Sequence, residues 1–183
     1  MKTTITFVIA VMMLGNVAFA QKYVTKTGKV SFFSTSPMEN IEAHNKQVNA
    51  ALDASTGDFV FKILIKSFEF EKALMQEHFN ENYMESDKFP NSTFQGKITN
   101  LGSVDFTKNG EYDAEVSGKL TIHGITKDVT EKGKFVVKDG NVQGLAKFSV
   151  RLADYDIKIP KAVVNNIAEV IEITVDVNMN PLK

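Results

Sequence analysis

Apolar and polar residues alternate with a period of two through most of this chain, and no other feature limits its fold so narrowly. The clearest case is residues 111–121. Tyr112, Ala114, Val116, Gly118, Leu120 and Ile122 fall on one side, and Glu111, Asp113, Glu115, Ser117, Lys119 and Thr121 on the other. A period of two is that of a strand with one buried face. Residues 29–35 read the same way and can be continuous with 23–27 through Gly28. Residues 41–54 form a longer, more polar run, and Thr56-Gly57-Asp58 offers turn chemistry for a hairpin. The next run, 59–70, puts Phe59, Phe61, Ile63 and Ile65 on one face, with Lys62 and Lys66 marking the other. Runs follow at 93–100, 129–137 and 142–152, with a turn signal at Lys138-Asp139-Gly140-Asn141, and a last one carries Ile171, Ile173, Val175, Val177 and Met179 on one side. About eight strands with short connections predict a single antiparallel barrel or sandwich.

Composition narrows the setting. Residues 1–20 combine one early charge, Lys2, with an apolar run at 5–14 that is short for a bilayer span, and they end in Ala18-Phe19-Ala20. This pattern predicts a signal peptide cleaved after Ala20, and hence a periplasmic or secreted protein with a mature domain at 21–183. The chain has no cysteine, which rules out a lipoprotein anchor, a disulfide framework and thiol chemistry. Loss of Lys2 with the signal takes the 21 basic residues to 20 against 22 acidic ones, a net charge of −2. That balance argues against a nucleic-acid partner. Fourteen phenylalanines without a tryptophan point to an apolar interior.

One segment leaves the period. Across 71–84 the apolar residues are Leu74, Met75, Phe79 and Tyr83, with His78 and Asn82 on the same side. These spacings are helical. Pro90 then stops any continuation. A single short helix between strands would cap one mouth of a barrel, as a plug, a lid or both. His78 on such a lid could donate a hydrogen bond to a ligand headgroup.

Two stretches carry a family resemblance. Gly118-Lys119-Leu120-Thr121-Ile122-His123-Gly124-Ile125-Thr126-Lys127 resembles, nearly without change, a signature of the YceI-like family. Gln76-Glu77-His78-Phe79, Tyr83-Met84-Glu85, Lys88-Phe89-Pro90 and Thr93-Phe94 are similar to that family's helix and following strand. Val30-Ser31-Phe32 and residues 148–155 resemble its early and late stretches. The resemblance implies an extended, antiparallel, eight-stranded barrel of lipocalin type. It also implies a long isoprenoid or fatty-acyl lipid held in the lumen, with no cofactor, no metal, no catalytic residue and no reaction. Two departures bear on the headgroup. The family's arginine at the helix start is replaced near Leu74 or Met75, and Lys66-Ser67-Phe68-Glu69-Phe70 stands where a Ser-Ile-Asp-Thr phrase is common. Loss of that arginine removes a good phosphate partner and weakens a pyrophosphate ligand.

Physical reasoning reaches the same place. An eight-stranded barrel holds one thin ligand or is packed shut by its own side chains. Each buried methylene contributes about 0.8 kcal/mol, so a long chain binds with few polar contacts. The expected ligand-facing residues are Phe32, Phe61, Ile63, Ile65, Phe94, Val116, Leu120 and Phe148 from strands, with Met75, His78, Phe79 and Tyr83 from the helix. Two other readings stay open: an enzyme, metal-dependent or otherwise, built around His78 and His123, and a structural envelope or stress protein whose lumen is core. Of the three histidines, His44 reads as a surface residue and His123 as a hydrogen-bonding turn residue in the outward phase. No HExxH spacing or nucleophile elbow is present. The oligomeric state is open, a homodimer included.

Overall fold

The computed structural model describes residues 21–182; the expected signal peptide lies outside the described residues. Nine strands are present among them: β1 Lys22–Thr35, β2 Asn40–Asp53, β3 Asp58–Leu64, β4 Phe68–Phe70, β5 Asn91–Ile98, β6 Gly110–Ile122, β7 Ile125–Lys138, β8 Asn141–Arg151 and β9 Val170–Pro181. They hydrogen-bond in the order β1-β9-β8-β7-β6-β5-β3-β2, and β2 pairs back onto β1, so the sheet has no free edge there. All pairs are antiparallel. Because β4 continues the line of β3 along β2, the ring is a closed eight-stranded barrel.

The run expected as one strand over 59–70 is broken. Ile65–Ser67 form a 3₁₀ turn between β3 and β4. β3 pairs with residues 49–52 of β2 and β4 with residues 43–45, and the turn covers the interval. Local hydrogen bonds hold the break: Asn45 Nδ2 donates to the Leu64 carbonyl at 2.9 Å, and Ile65 N donates to the Pro90 carbonyl at 2.9 Å. Ile65 and Phe68 are both buried but three residues apart, so the inward phase passes from odd to even positions across the turn, and that change of phase is the break's mark in the sequence.

The helix is short. Helix α1, Ala73–His78, runs into a wide π turn, Phe79–Tyr83, in which Met84 N donates to the Phe79 carbonyl at 2.9 Å. Met75, Phe79 and Tyr83 are half-buried. Leu74, expected on the same side, is 61% exposed. One residue rotates a helix by about 100°, so a face that buries Met75 and Phe79 turns Leu74 outward.

The barrel has two unlike halves. At one end Tyr23, Leu52, Ile98, Val142, Val177 and Met179 are at most 2% exposed, and register places Tyr23 opposite Leu52 and Val142 opposite Met179. Phe59, Phe106 and Phe135 fill this end with edge-on ring contacts at 5.6–5.7 Å. Toward the other end Phe32, Ile63, Phe94, Val116, Leu120, Phe148 and Ile173 hold the same inward phase yet are only partly buried. Those side chains border a space.

Candidate functional site

That space is a cavity of about 390 Å³ in the open half of the barrel, many times the room that one water needs. All twelve residues expected to face a ligand line it. Phe61, Ile63 and Ile65 reach it from β3 and the turn that follows, Phe94 from β5, Val116 and Leu120 from β6, Phe148 from β8 and Phe32 from β1. Met75, His78, Phe79 and Tyr83 approach from the helix and π turn. The strand residues converge because register sets Phe61 opposite Phe94 and Phe94 opposite Leu120 on one inner face.

Phe79 fixes the helix over the mouth. Its ring lies 5.0–5.5 Å from those of Phe32, Phe68 and Phe70, so the cap is held by aromatic packing. The rim is tied by Lys72 Nζ to Glu39 Oε1 at 2.8 Å and by Ala168 N donating to Ser34 Oγ at 2.9 Å. Burial pushes the Tyr83 phenol above its ordinary range. His78 is exposed at the cavity's edge. His44 is exposed too, with Nε2 3.3 Å from Glu42 Oε1.

His123 departs from expectation. It sits in the β6–β7 turn, as expected, but is 9% exposed and not on an outward face. β6 ends at Ile122, and with φ at +49° the residue leaves the strand's alternation and folds under neighbouring segments. Its Nδ1 donates to the Tyr155 carbonyl at 3.1 Å, and Nε2 meets Glu85 Oε2 at 2.8 Å. Each ring nitrogen therefore has one oxygen partner, so the buried ring is fixed from both sides. Phe89 packs edge-on at 4.7 Å and also explains Gly124: with φ at +76°, a Cβ there would lie 2.5 Å from the Phe89 ring. Thus the His-Gly pair fastens the helix-to-β5 loop and the segment after β8 to one turn. Among the described residues no three His, Cys, Asp or Glu side chains converge as a metal site would require.

The fastened segment closes a gap in the wall. β7 and β8 pair only from Gly133–Ala146 to Lys138–Asn141. Beyond that, residues 125–132 pair with β6 alone and residues 147–151 with β9 alone, so the two strands part. Leu152, Ile157, Val163 and Ile167, from the β8–β9 connection, line the cavity at this side. Sequence reasoning missed the last three, which lie in a connection without strand period. It also missed Glu131. Register sets it opposite Val116, in phase with Phe135 and Val137, and it lines the cavity. The signal was legible as one polar residue in the inward phase of a strand. Burial raises its carboxyl above the ordinary glutamate range.

Comparison with known proteins agrees with this architecture. The model of a family described as YceI-like domain matches residues 2–179. A polyisoprenoid binding domain from Saccharophagus degradans, implicated in plant cell wall breakdown, superposes with a TM-score of 0.77 at 11% identity, covering 88% of this chain and 98% of that one. BcnA from Burkholderia cenocepacia gives 0.68 at 18% identity, covering 83% and 95%. The YCEI protein of Campylobacter jejuni gives 0.54 at 16% identity, covering 99% and 94%. At these identities the likeness is one of fold. No curated protein sequence matches significantly.

Proposed function

The chain belongs to the YceI-like family, and from that premise we propose that it binds one long apolar lipid, of isoprenoid or fatty-acyl type, as a periplasmic or secreted carrier or sequestering protein without catalysis. The observation that carries this reading is the contrast between the barrel's halves. Inward apolar residues are fully packed at one end and only partly buried around a cavity of about 390 Å³ at the other. A barrel that served only as core would have no reason to leave Phe94, Leu120 and Phe148 incompletely covered, since each unfilled contact forfeits dispersion and transfer energy. The likeness in fold to a polyisoprenoid binding domain supports a lipid. The twelve lining residues are the proposed ligand contacts, and cleavage after Ala20 is the proposed route out of the cytoplasm.

Native mass spectrometry after gentle extraction tests the reading. A co-purifying lipid mass is expected, on a chain that starts at Gln21. Ile63→Asp puts a charge in the apolar space and should abolish lipid retention, whereas Lys62→Asp, on the exposed side of β3, should preserve it. A bare protein that also fails to take up added long-chain alcohol would overturn the proposal.

A further inference from the structure

The twelve expected contacts are apolar, aromatic or, for His78, exposed at the rim. That leaves open what meets the polar end of a lipid. Among the described residues Glu131 is the only ionisable side chain that both holds the inward phase of a barrel strand and lines the cavity. Glu39 lies on the β1–β2 turn and His78 on helix α1, and Lys132 and Lys134 hold the outward phase, Lys134 in an ion pair with Glu111 at 2.7 Å. Among the described residues no hydrogen bond or ion pair engages the Glu131 carboxylate, in contrast to 13 pairs elsewhere among them. It stands beside Val129 and Gly133, opposite Val116, where β7 leaves β8.

We propose that Glu131 is the headgroup-selecting residue of the lumen, accepting a hydrogen bond from a lipid whose polar end is a neutral donor, a primary alcohol or amide, and rejecting lipids that end in phosphate, sulfate or carboxylate. This deepens the lipid-carrier reading and rests on it. A carboxylate in a partly desolvated apolar wall has unused acceptor capacity, which a hydroxyl or amide N–H satisfies. An anionic headgroup at the same place meets a like charge in a medium that screens poorly. The headgroup is therefore set at the wall gap under Leu152 and Ile157, with the chain running toward the helix-capped mouth. The groups facing Glu131 do not cancel its charge. β6 presents Ala114, Val116 and Gly118, and β8 presents Ala146 at the end of its ladder with β7. The only cation in its phase on β7 is the exposed Lys127, and the segment after β8 brings Tyr155 and Asp154, whose phenol and carboxylate add no positive charge.

The test uses hexadecanol and hexadecyl sulfate, which share a chain and differ in a headgroup that stays ionised at every pH used. Both compete with a fluorescent apolar probe on delipidated full-length mature protein below micellar concentrations. Wild type should prefer the alcohol by about tenfold or more at pH 7.5, and the preference should shrink as pH falls and Glu131 takes up a proton. Glu131→Gln, which keeps the shape and removes the charge, should bring the ratio to within about threefold at every pH, mainly by tightening hexadecyl sulfate. Glu131→Ala should do the same and guards against a glutamine-specific effect. If wild type binds both ligands alike, or if the ratio survives both substitutions, the headgroup assignment falls while the carrier reading stands. If wild type binds neither, both fall.

Discussion

Two single residues shape this barrel in ways that can be measured separately. His123 joins the β6–β7 turn to Tyr155 and Glu85 from a nearly buried position. Removing the ring orphans the Tyr155 carbonyl and uncovers Phe89, so His123→Ala should cost about 1–3 kcal/mol in urea unfolding. It should also loosen the segment that covers the wall gap, visible as faster amide exchange at residues 152–157. Unchanged exchange there would mean that the segment is held by its own packing. Glu131 acts with the opposite sign. Its folded-state value is raised above the ordinary 4.5 by burial, so the folded protein binds the proton more readily than the unfolded chain. The stability it contributes is greatest below about 4.5 and is lost as pH rises toward the folded value. Melting temperatures of Glu131→Gln and wild type should then lie close at pH 4 and separate above it, the variant melting higher at pH 7.5. A wild type that melts higher at neutral pH would mean that the carboxylate is stabilised by a partner.

At the scale of elements, the sequence disclosed periods better than breaks. Strands β5, β6, β8 and β9, and β7 from Val129 on, follow from alternation because there one face stays inward, whereas the first four residues of β7 are exposed on both faces. The interruption between β3 and β4 was passed over by reading 59–70 as one run, although the inward positions change there from odd, ending at Ile65, to even, starting at Phe68, across a 3₁₀ turn of three residues. The parting of β7 from β8 stayed hidden for another reason. It is a property of pairing between strands, and both strands keep a normal alternation while they separate. Helix α1 was legible in type and position, yet its phase was set too wide by one residue at Leu74. That error supplies a test of the cap. Phe79 touches three phenylalanine rings, and Phe79→Ala should cost about 3 kcal/mol and speed the release of bound lipid. Leu74→Ala, at an exposed position, should change stability by no more than about 0.5 kcal/mol. Equal effects at the two sites would place the helix in a different rotation.

The whole molecule combines a packed half, which folds and holds the barrel, with an unfilled half, which has room to bind. The two halves should answer core substitutions in opposite ways. Leu52 is 1% exposed at the packed end, opposite Tyr23. Leu52→Ala removes three carbons from a close-packed region and should cost about 2–5 kcal/mol, with lipid affinity unchanged once the lowered stability is allowed for. Val116 faces the cavity from the middle of β6 and is only partly buried. Val116→Phe adds a ring where space already exists, so it should keep or raise the melting temperature while excluding lipid. In a well-packed core the same enlargement would cost about 1–3 kcal/mol. Thermal unfolding of both variants, with and without hexadecanol, reads the two halves independently. Ligand at a hundred times its dissociation constant should stabilise wild type by about 2.7 kcal/mol and Val116→Phe by far less. A Val116→Phe protein that unfolds early, with ligand bound as before, would mean that this half is as tightly packed as the other and that lipid binds elsewhere on the barrel.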